Sequence, residues 1–288
     1  MRKGLRGLLT IKKIRDIWPS SWGKKTCIMG IINITPDSFS DGGLFIDPKV
    51  ALERAIQLVN QGADVLDIGA QSTRPGAISV GANEEIKRIT PVLIAIRERL
   101  PQTIISIDTF LSDVAEMSLK LGADWINDVS GGRHDPNILN IVANNRCPYV
   151  ITHSRGCSQN MDKYASYENV FQETFDELIQ LTNIALDKGI SPTQIIWDPG
   201  IGFAKNTNHN IYILKQLEDY LISGYPLLVG PSRKRFIGDI TKEGKAEKRI
   251  WGTAAVVSRC VQANVSIVRV HDVEAIHKTI LMADSIWR

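Results

Sequence analysis

Polar side chains stand at the ends of several otherwise apolar runs in this chain. Asn33 stands next to last in CIMGIINI, Asp67 lies inside VLDIG, and Asp108 closes IISID. Asn127 and Asp128 lie in WINDV, His153 closes YVITH, Asp198 sits in IIWDP, and Arg269 and His271 fall in SIVRVH. Ser232, Arg233 and Lys234 follow PLLVG. A charge inside a buried run is costly unless paired or put to use. Asp67 and Asp128 fit a structural pairing as well as they fit a site. The convergence of the others points to a site. Asp108, Asn127, Asp198 and Lys234 offer carboxylates, an amide and an ammonium. Oxygen acceptors suit ring N–H donors and an ammonium suits a carbonyl, so this set fits the edge of a polar heterocycle. Asn33, Arg74, Arg269 and His271 offer neutral and cationic groups without a carboxylate, which suits a polyanion. Asn33 is a neutral oxygen ligand, in keeping with a Mg²⁺ held mostly by the polyanion and water.

Such side chains need a scaffold that brings many strand ends to one rim. The runs at 27–34, 65–69, 104–108, 125–129, 149–153, 195–199, 226–230 and 266–271 are short, continuous and rich in β-branched residues. That pattern suits parallel strands covered on both faces. Helical periodicity lies between them: Ile86, Ile89, Leu93, Ile96 and Leu100 form one stripe, interrupted by Pro91. Segments ending near Gly189 and Gly224 read the same way, with those glycines as C-caps. Strict alternation of strand and helix predicts one α/β domain, a (β/α)₈ TIM barrel over 25–288, preceded by a short N-terminal extension over 1–24. A doubly wound open sheet competes, but it calls for a Gly-rich turn after the first strand, and Asn-Ile-Thr-Pro-Asp stands there.

Composition narrows the class. The chain has 288 residues, 43% of them hydrophobic, and a net charge of +3, too weak to point to nucleic acid. The four cysteines, Cys27, Cys147, Cys157 and Cys260, lack metal-ligand spacing and suit a reducing cytoplasm. No apolar run is long enough to span a membrane.

Two long segments carry a resemblance. MGIINITPDSFSDGG at 29–43 and GAQSTRPGA at 69–77 resemble the first and second signatures of the dihydropteroate synthase family, pterin-binding enzymes on a TIM barrel. DTF (108–110), INDVSGG (126–132), DPGIGFAK (198–205), SRK (232–234) and RVHDV (269–273) resemble its later motifs in order. The likeness runs from about Cys27 to His271. It implies condensation of 6-hydroxymethyl-7,8-dihydropterin diphosphate with p-aminobenzoate to 7,8-dihydropteroate, releasing pyrophosphate. It also implies that Asp108, Asn127, Asp198 and Lys234 hold the pterin. Asn33, with Mg²⁺, and Thr73, Arg269 and His271 would bind the diphosphate, while Asn33, Arg74, Lys234, Arg269 and His271 would serve catalysis. Phe39, Thr73, Pro75, Phe203, Ser232 and Lys234 would line the p-aminobenzoate pocket.

Some positions depart from the family pattern. Ala70-Gln71 replaces a common Gly-Glu, and Thr152 precedes His153 where Met is frequent. None removes a named ligand. The loops at 35–44 and 72–81 are long and rich in Gly, Ser and Pro, and read as lids that order over the site. A corrinoid-dependent methyltransferase using methyltetrahydrofolate shares this type of barrel, but would lack the diphosphate loop. A non-catalytic pterin-binding paralogue should have lost some of Asn33, Asp108, Lys234 or Arg269. The partners expected are therefore small-molecule substrates, with neither nucleic acid nor membrane. The residues themselves leave the oligomeric state open, but the resemblance implies a homodimer through the side of the last two helices, which carry Trp251, Ile276, Ile280 and Trp287.

Overall fold

The computed structural model describes residues 16–35, 47–72, 76–77 and 79–288. Eight parallel strands form a nearly closed barrel: β1 (Cys27–Asn33), β2 (Val65–Gly69), β3 (Ile104–Asp108), β4 (Trp125–Asp128), β5 (Tyr149–Thr152), β6 (Ile195–Asp198), β7 (Leu228–Val229) and β8 (Ile267–Val270). Their hydrogen-bonded order is β6-β5-β4-β3-β2-β1-β8-β7, and a parallel bridge between Trp197 and Leu227 joins the two ends. The helices are α1 (Pro48–Asn60), α2 (Ala82–Arg99), α3 (Ser112–Lys120), α4 (Asn137–Asn145), α5 (Val170–Asp187), α6 (Thr207–Lys215), α7 (Leu217–Tyr220), α8 (Arg235–Thr241), α9 (Ile250–Gln262) and α10 (Val273–Trp287). Among the described residues, no helix is long and apolar enough to cross a membrane.

Period two on the strands sorts the core into two layers. Cys27, Met29, Val65, Ile104, Trp125, Val150, Ile196, Leu228 and Ile267 fill the floor of the barrel. The alternate residues, among them Ile28, Leu66, Ile105, Ile126, Ile151, Trp197 and Val268, pack under the helices. Burial on both faces is why these runs are continuous rather than alternating. Trp18 and Trp22 pack against the floor cluster, and Trp125 Nε1 donates to the Ile17 carbonyl at 2.6 Å. The residues just before β1 thus close the bottom of the barrel.

Local signals behave as their chemistry dictates. Asp47 caps α1 by accepting from the Lys49 N–H at 2.9 Å, with Pro48 at its first position. Pro91 stands inside α2, which continues through it. Gly189 and Gly224, at φ 88° and 79°, follow helical segments in the left-handed region. The segment expected as one helix before Gly224 is instead α6, α7 and a short 3₁₀ turn, Leu221–Ser223.

Candidate active site

The strand parity that sorts the core also sorts the polar residues. Asp67 follows Val65, Asp108 follows Ile104 by four, Asn127 follows Trp125, Asp198 follows Ile196, and Arg269 follows Ile267. All therefore project inward, above the apolar floor and toward the C-terminal end of the strands. Register completes the ring, with Gly69 beside Asp108, Asp108 beside Asn127, and Met29 beside Arg269.

Arg269 is the centre of a partly buried ionic cluster. Its Nε donates to Asp67 Oδ2 at 2.6 Å, and its Nη2 donates to Asp108 Oδ2 at 2.6 Å. Asn127 Nδ2 donates to the same Asp67 oxygen at 3.2 Å. Burial opposes the Arg269 charge, but the two carboxylates outweigh it and raise its pKa. Burial raises Asp108 to about 7 against the pull of Arg269. The expectation of a polyanion set without carboxylates is therefore corrected. Arg269 joins the two sets, because side chains from β2, β3 and β8 share one barrel interior. Asp67, fully buried, is the anchor that orients both Arg269 and Asn127.

Asp198 Oδ1 accepts the Gly200 N–H at 2.7 Å, and burial raises its carboxyl to about 6. Lys234, immediately before α8, places Nζ over the Phe203 ring at 4.2 Å from its centre. Burial lowers the Lys234 pKa to about 8, with Asp198 opposing that shift. Gly202 makes this approach possible: it sits at φ 82°, and a Cβ there would lie 2.8 Å from Lys234 Cδ. Ser232 Oγ lies 2.9 Å from His271 Nδ1 and accepts the His271 N–H at 3.2 Å. If that hydroxyl gives its proton to Nδ1, the ring proton stays on Nε2, a donor suited to an anionic oxygen.

Three polar residues at strand ends do not face the site. Asp128 has the parity of Ile126 and accepts from Tyr149 Oη at 2.7 Å and from the Ser130 and Gly132 N–H groups at 2.7 and 2.8 Å. It is structural. His153 has the parity of Ile151 and meets Glu177 of α5 at 2.9 Å. Arg233, at φ 60°, binds Asp272 through Nε at 2.9 Å and Nη2 at 2.6 Å, tying the loop after β7 to the start of α10. Phe39, Thr73, Arg74 and Pro75 lie outside the described residues.

Asn33 ends β1 half-buried, beside Gly69 in the register. Among the described residues, no group of three or more His, Cys, Asp or Glu could hold a metal ion. A neutral amide oxygen without a carboxylate cage fits a hard divalent ion whose charge is balanced by a bound polyanion.

The model of the family described as pterin binding enzyme matches residues 29–271. The chain belongs to the pterin-binding enzyme family. This pterin-binding enzyme is 45% identical over 267 residues to the dihydropteroate synthase of Synechocystis sp., a match covering 93% of this chain and 92% of that protein. It is 42% identical over 273 residues to the folic acid synthesis protein fol1 of Pneumocystis carinii, of which it spans 37%. Its structure resembles that of the dihydropteroate synthase from Clostridium difficile determined in the presence of pteroic acid. That pair has a TM-score of 0.87 and 38% identity, covering 93% and 98% of the two chains.

Sequence reasoning gave no role to Asp272, Glu177 or Lys205. Their partners are remote in the chain, and only the closure of the barrel brings them together. Asp128 was distinguishable from Asp67 by parity with its strand neighbours.

Proposed function

We infer that this enzyme is a dihydropteroate synthase, joining the pterin methylene of 6-hydroxymethyl-7,8-dihydropterin diphosphate to the amine of p-aminobenzoate. The observation that carries the reading is the convergence of Asp108, Asn127, Asp198 and Lys234 on one rim of the barrel, with Phe203 under the Lys234 ammonium. The relative from Clostridium difficile was determined with pteroic acid, a molecule that contains both substrate halves.

In this reading the carboxylate and amide oxygens accept from the pterin N–H groups, and Lys234 donates to its carbonyl. That orients the methylene. Phe203 and Ser232 border the aryl amine, and the family resemblance assigns Phe39, Thr73 and Pro75, outside the described residues, to the same pocket. The amine attacks the methylene carbon, the C–O bond to the diphosphate breaks, and the amine proton passes to water. Arg269 and His271 stabilise the developing charge of the departing diphosphate, with Arg74 and Thr73, outside the described residues, assigned to the same task by the family resemblance. Asn33 would hold Mg²⁺, which when bound neutralises the leaving group. Arg269 keeps its orientation because Asp67 holds Nε.

The enzyme acts as a homodimer in this reading. Trp251 is 81% exposed and Met282 is 62% exposed, beside Ile286, on the outer face of α9 and α10. Ile276 and Ile280 face the core instead and take no part in that surface. Cys27, Cys147 and Cys260 are buried thiols outside any disulfide, in keeping with a reducing compartment such as the cytoplasm.

The test is to mix the purified chain with the pterin diphosphate, p-aminobenzoate and Mg²⁺ and to follow pyrophosphate release. Release that needs both substrates and stops with a chelator is expected. No release would sink the reading, and undiminished release in excess chelator would refute the metal role.

A further inference from the structure

The loop after β6 is held by a buried polar network centred on Lys205, His153 and Glu177, none of which is assigned to chemistry. Lys205 is 2% exposed, and its Nζ lies 2.8 Å from His153 Nδ1, 3.2 Å from the Gly200 carbonyl and 3.1 Å from the Phe203 carbonyl. An ammonium has three donors and no acceptor, so each contact is a donation. Burial lowers the Lys205 pKa to about 7, opposed by Asp198 and Glu177. Three acceptors around Nζ favour the charged form. His153 Nδ1 is then an acceptor, and Nε2 donates to Glu177 Oε2 at 2.9 Å. Burial, then Lys205, lowers the His153 pKa to about 3, so the ring stays neutral.

The network continues outward. Arg155 donates to Glu177 at 2.9 and 2.5 Å and to Glu173 at 2.8 Å, and lies over the Tyr167 ring at 4.1 Å. Tyr167 Oη donates to the Ala204 carbonyl at 3.0 Å. Three tethers therefore end on the backbone of one short loop, at Gly200, Phe203 and Ala204. Ala204 is held at φ 48°, and a Cβ on Gly200 would lie 1.8 Å from the His153 carbonyl oxygen. An L-residue in the left-handed region persists where its surroundings over-determine it.

We propose that Lys205, seated on His153, which Glu177 in turn holds, is a positioning residue for the aryl-amine substrate: it fixes the loop that sets Phe203 under Lys234. This rests on the dihydropteroate synthase reading above. Most of the pterin edge is anchored elsewhere, since Asp108 is held by Arg269, and Asn127 and Arg269 by Asp67, while Asp198 meets this loop through the Gly200 N–H. Loss of the Lys205 tethers should therefore displace the aryl-amine subsite far more than the pterin subsite.

The test is Lys205→Met, which keeps the length of the side chain and removes its donors, with kcat and both KM values measured. The KM for p-aminobenzoate should rise about tenfold or more, the size expected for lost charged hydrogen bonds, while the KM for the pterin diphosphate and kcat stay within about threefold. Equal rises in both KM values, or a fall in kcat alone, would overturn the proposal. Tyr167→Phe removes a single tether and keeps the test decisive if Lys205→Met does not fold. It should raise the p-aminobenzoate KM selectively by about two- to fivefold, and an unchanged ratio of the two KM values would overturn the proposal. In a Phe203→Ala background, Lys205→Met should add little to the p-aminobenzoate KM, because both act through one group; additive losses would count against it. Wild-type enzyme without turnover overturns the reading of function, and this inference with it. Turnover by wild type with equal KM changes in the variant overturns this inference alone.

Discussion

Asp198 shows how one side chain is pulled two ways. It is 6% exposed, and burial raises its carboxyl from 3.8 to about 6. A carboxyl raised on folding favours the folded state below its unfolded pKa, and that contribution is lost as pH rises through the folded value. The unliganded protein should therefore gain stability from Asp198 as pH falls from neutrality through about 6. Pterin binding needs the carboxylate as acceptor and should weaken over the same window. Calorimetric titration of a pterin ligand against pH should show this step. Asp198→Asn can still accept the Gly200 N–H through Oδ1, but turns an N–H donor toward the pterin's own donors. Affinity should fall by about one to two orders of magnitude, and the Asp198 step near pH 6 should vanish, leaving that of Asp108 near 7. Unchanged affinity would make Asp198 a structural residue.

At the scale of elements, the barrel has two ends with separate tasks. Its upper rim gathers the polar side chains, and its floor is apolar and capped by Trp18 and Trp22 against Trp125. The ring centroids of Trp18 and Trp22 lie 5.2 and 5.6 Å from that of Trp125. Truncating a packed aromatic leaves a cavity as well as lost burial. Trp22→Ala and Trp18→Ala should each cost about 2–4 kcal/mol in denaturant unfolding. Since the floor lies at the opposite end from the site, kcat measured well below the melting temperature should not change. A loss of kcat without loss of stability would show that the floor communicates with the rim.

For the whole molecule, the question is what covers the outer face of α9 and α10. A cavity of about 830 Å³ there is lined by Arg54, Trp251, Asp272, Met282 and Ile286, among others. An exposed apolar patch bordered by charge is the mark of an association surface. A homodimer closed through this face should appear in sedimentation velocity, and Met282→Glu with Ile286→Glu should convert it to a monomer. A monomeric wild type at micromolar concentration, or an unaltered dimer in the double variant, would rule the surface out. The face adjoins the site directly: Arg54 donates to the His271 carbonyl at 2.7 Å, and His271 and Asp272 line the cavity.

Much of this molecule was legible before folding. Eight apolar runs in strict alternation with helical segments specify a barrel, because strands buried on both faces leave a continuous hydrophobic signature. Parity within each run was also available: Asn127 shares the phase of inward Trp125, while Asp128 shares that of Ile126 under the helices. What no local pattern could reveal was pairing across the barrel. Arg269 meets Asp67 and Asp108 from 202 and 161 residues away. Lys205 meets His153 from 52 residues away, and Arg233 meets Asp272 from 39. Residue type and period are properties of short stretches, so the sequence alone decides which side chains are costly to bury and which face they take. Which charge neutralises which depends on the closure and register of the strands, and only the tertiary structure decides that.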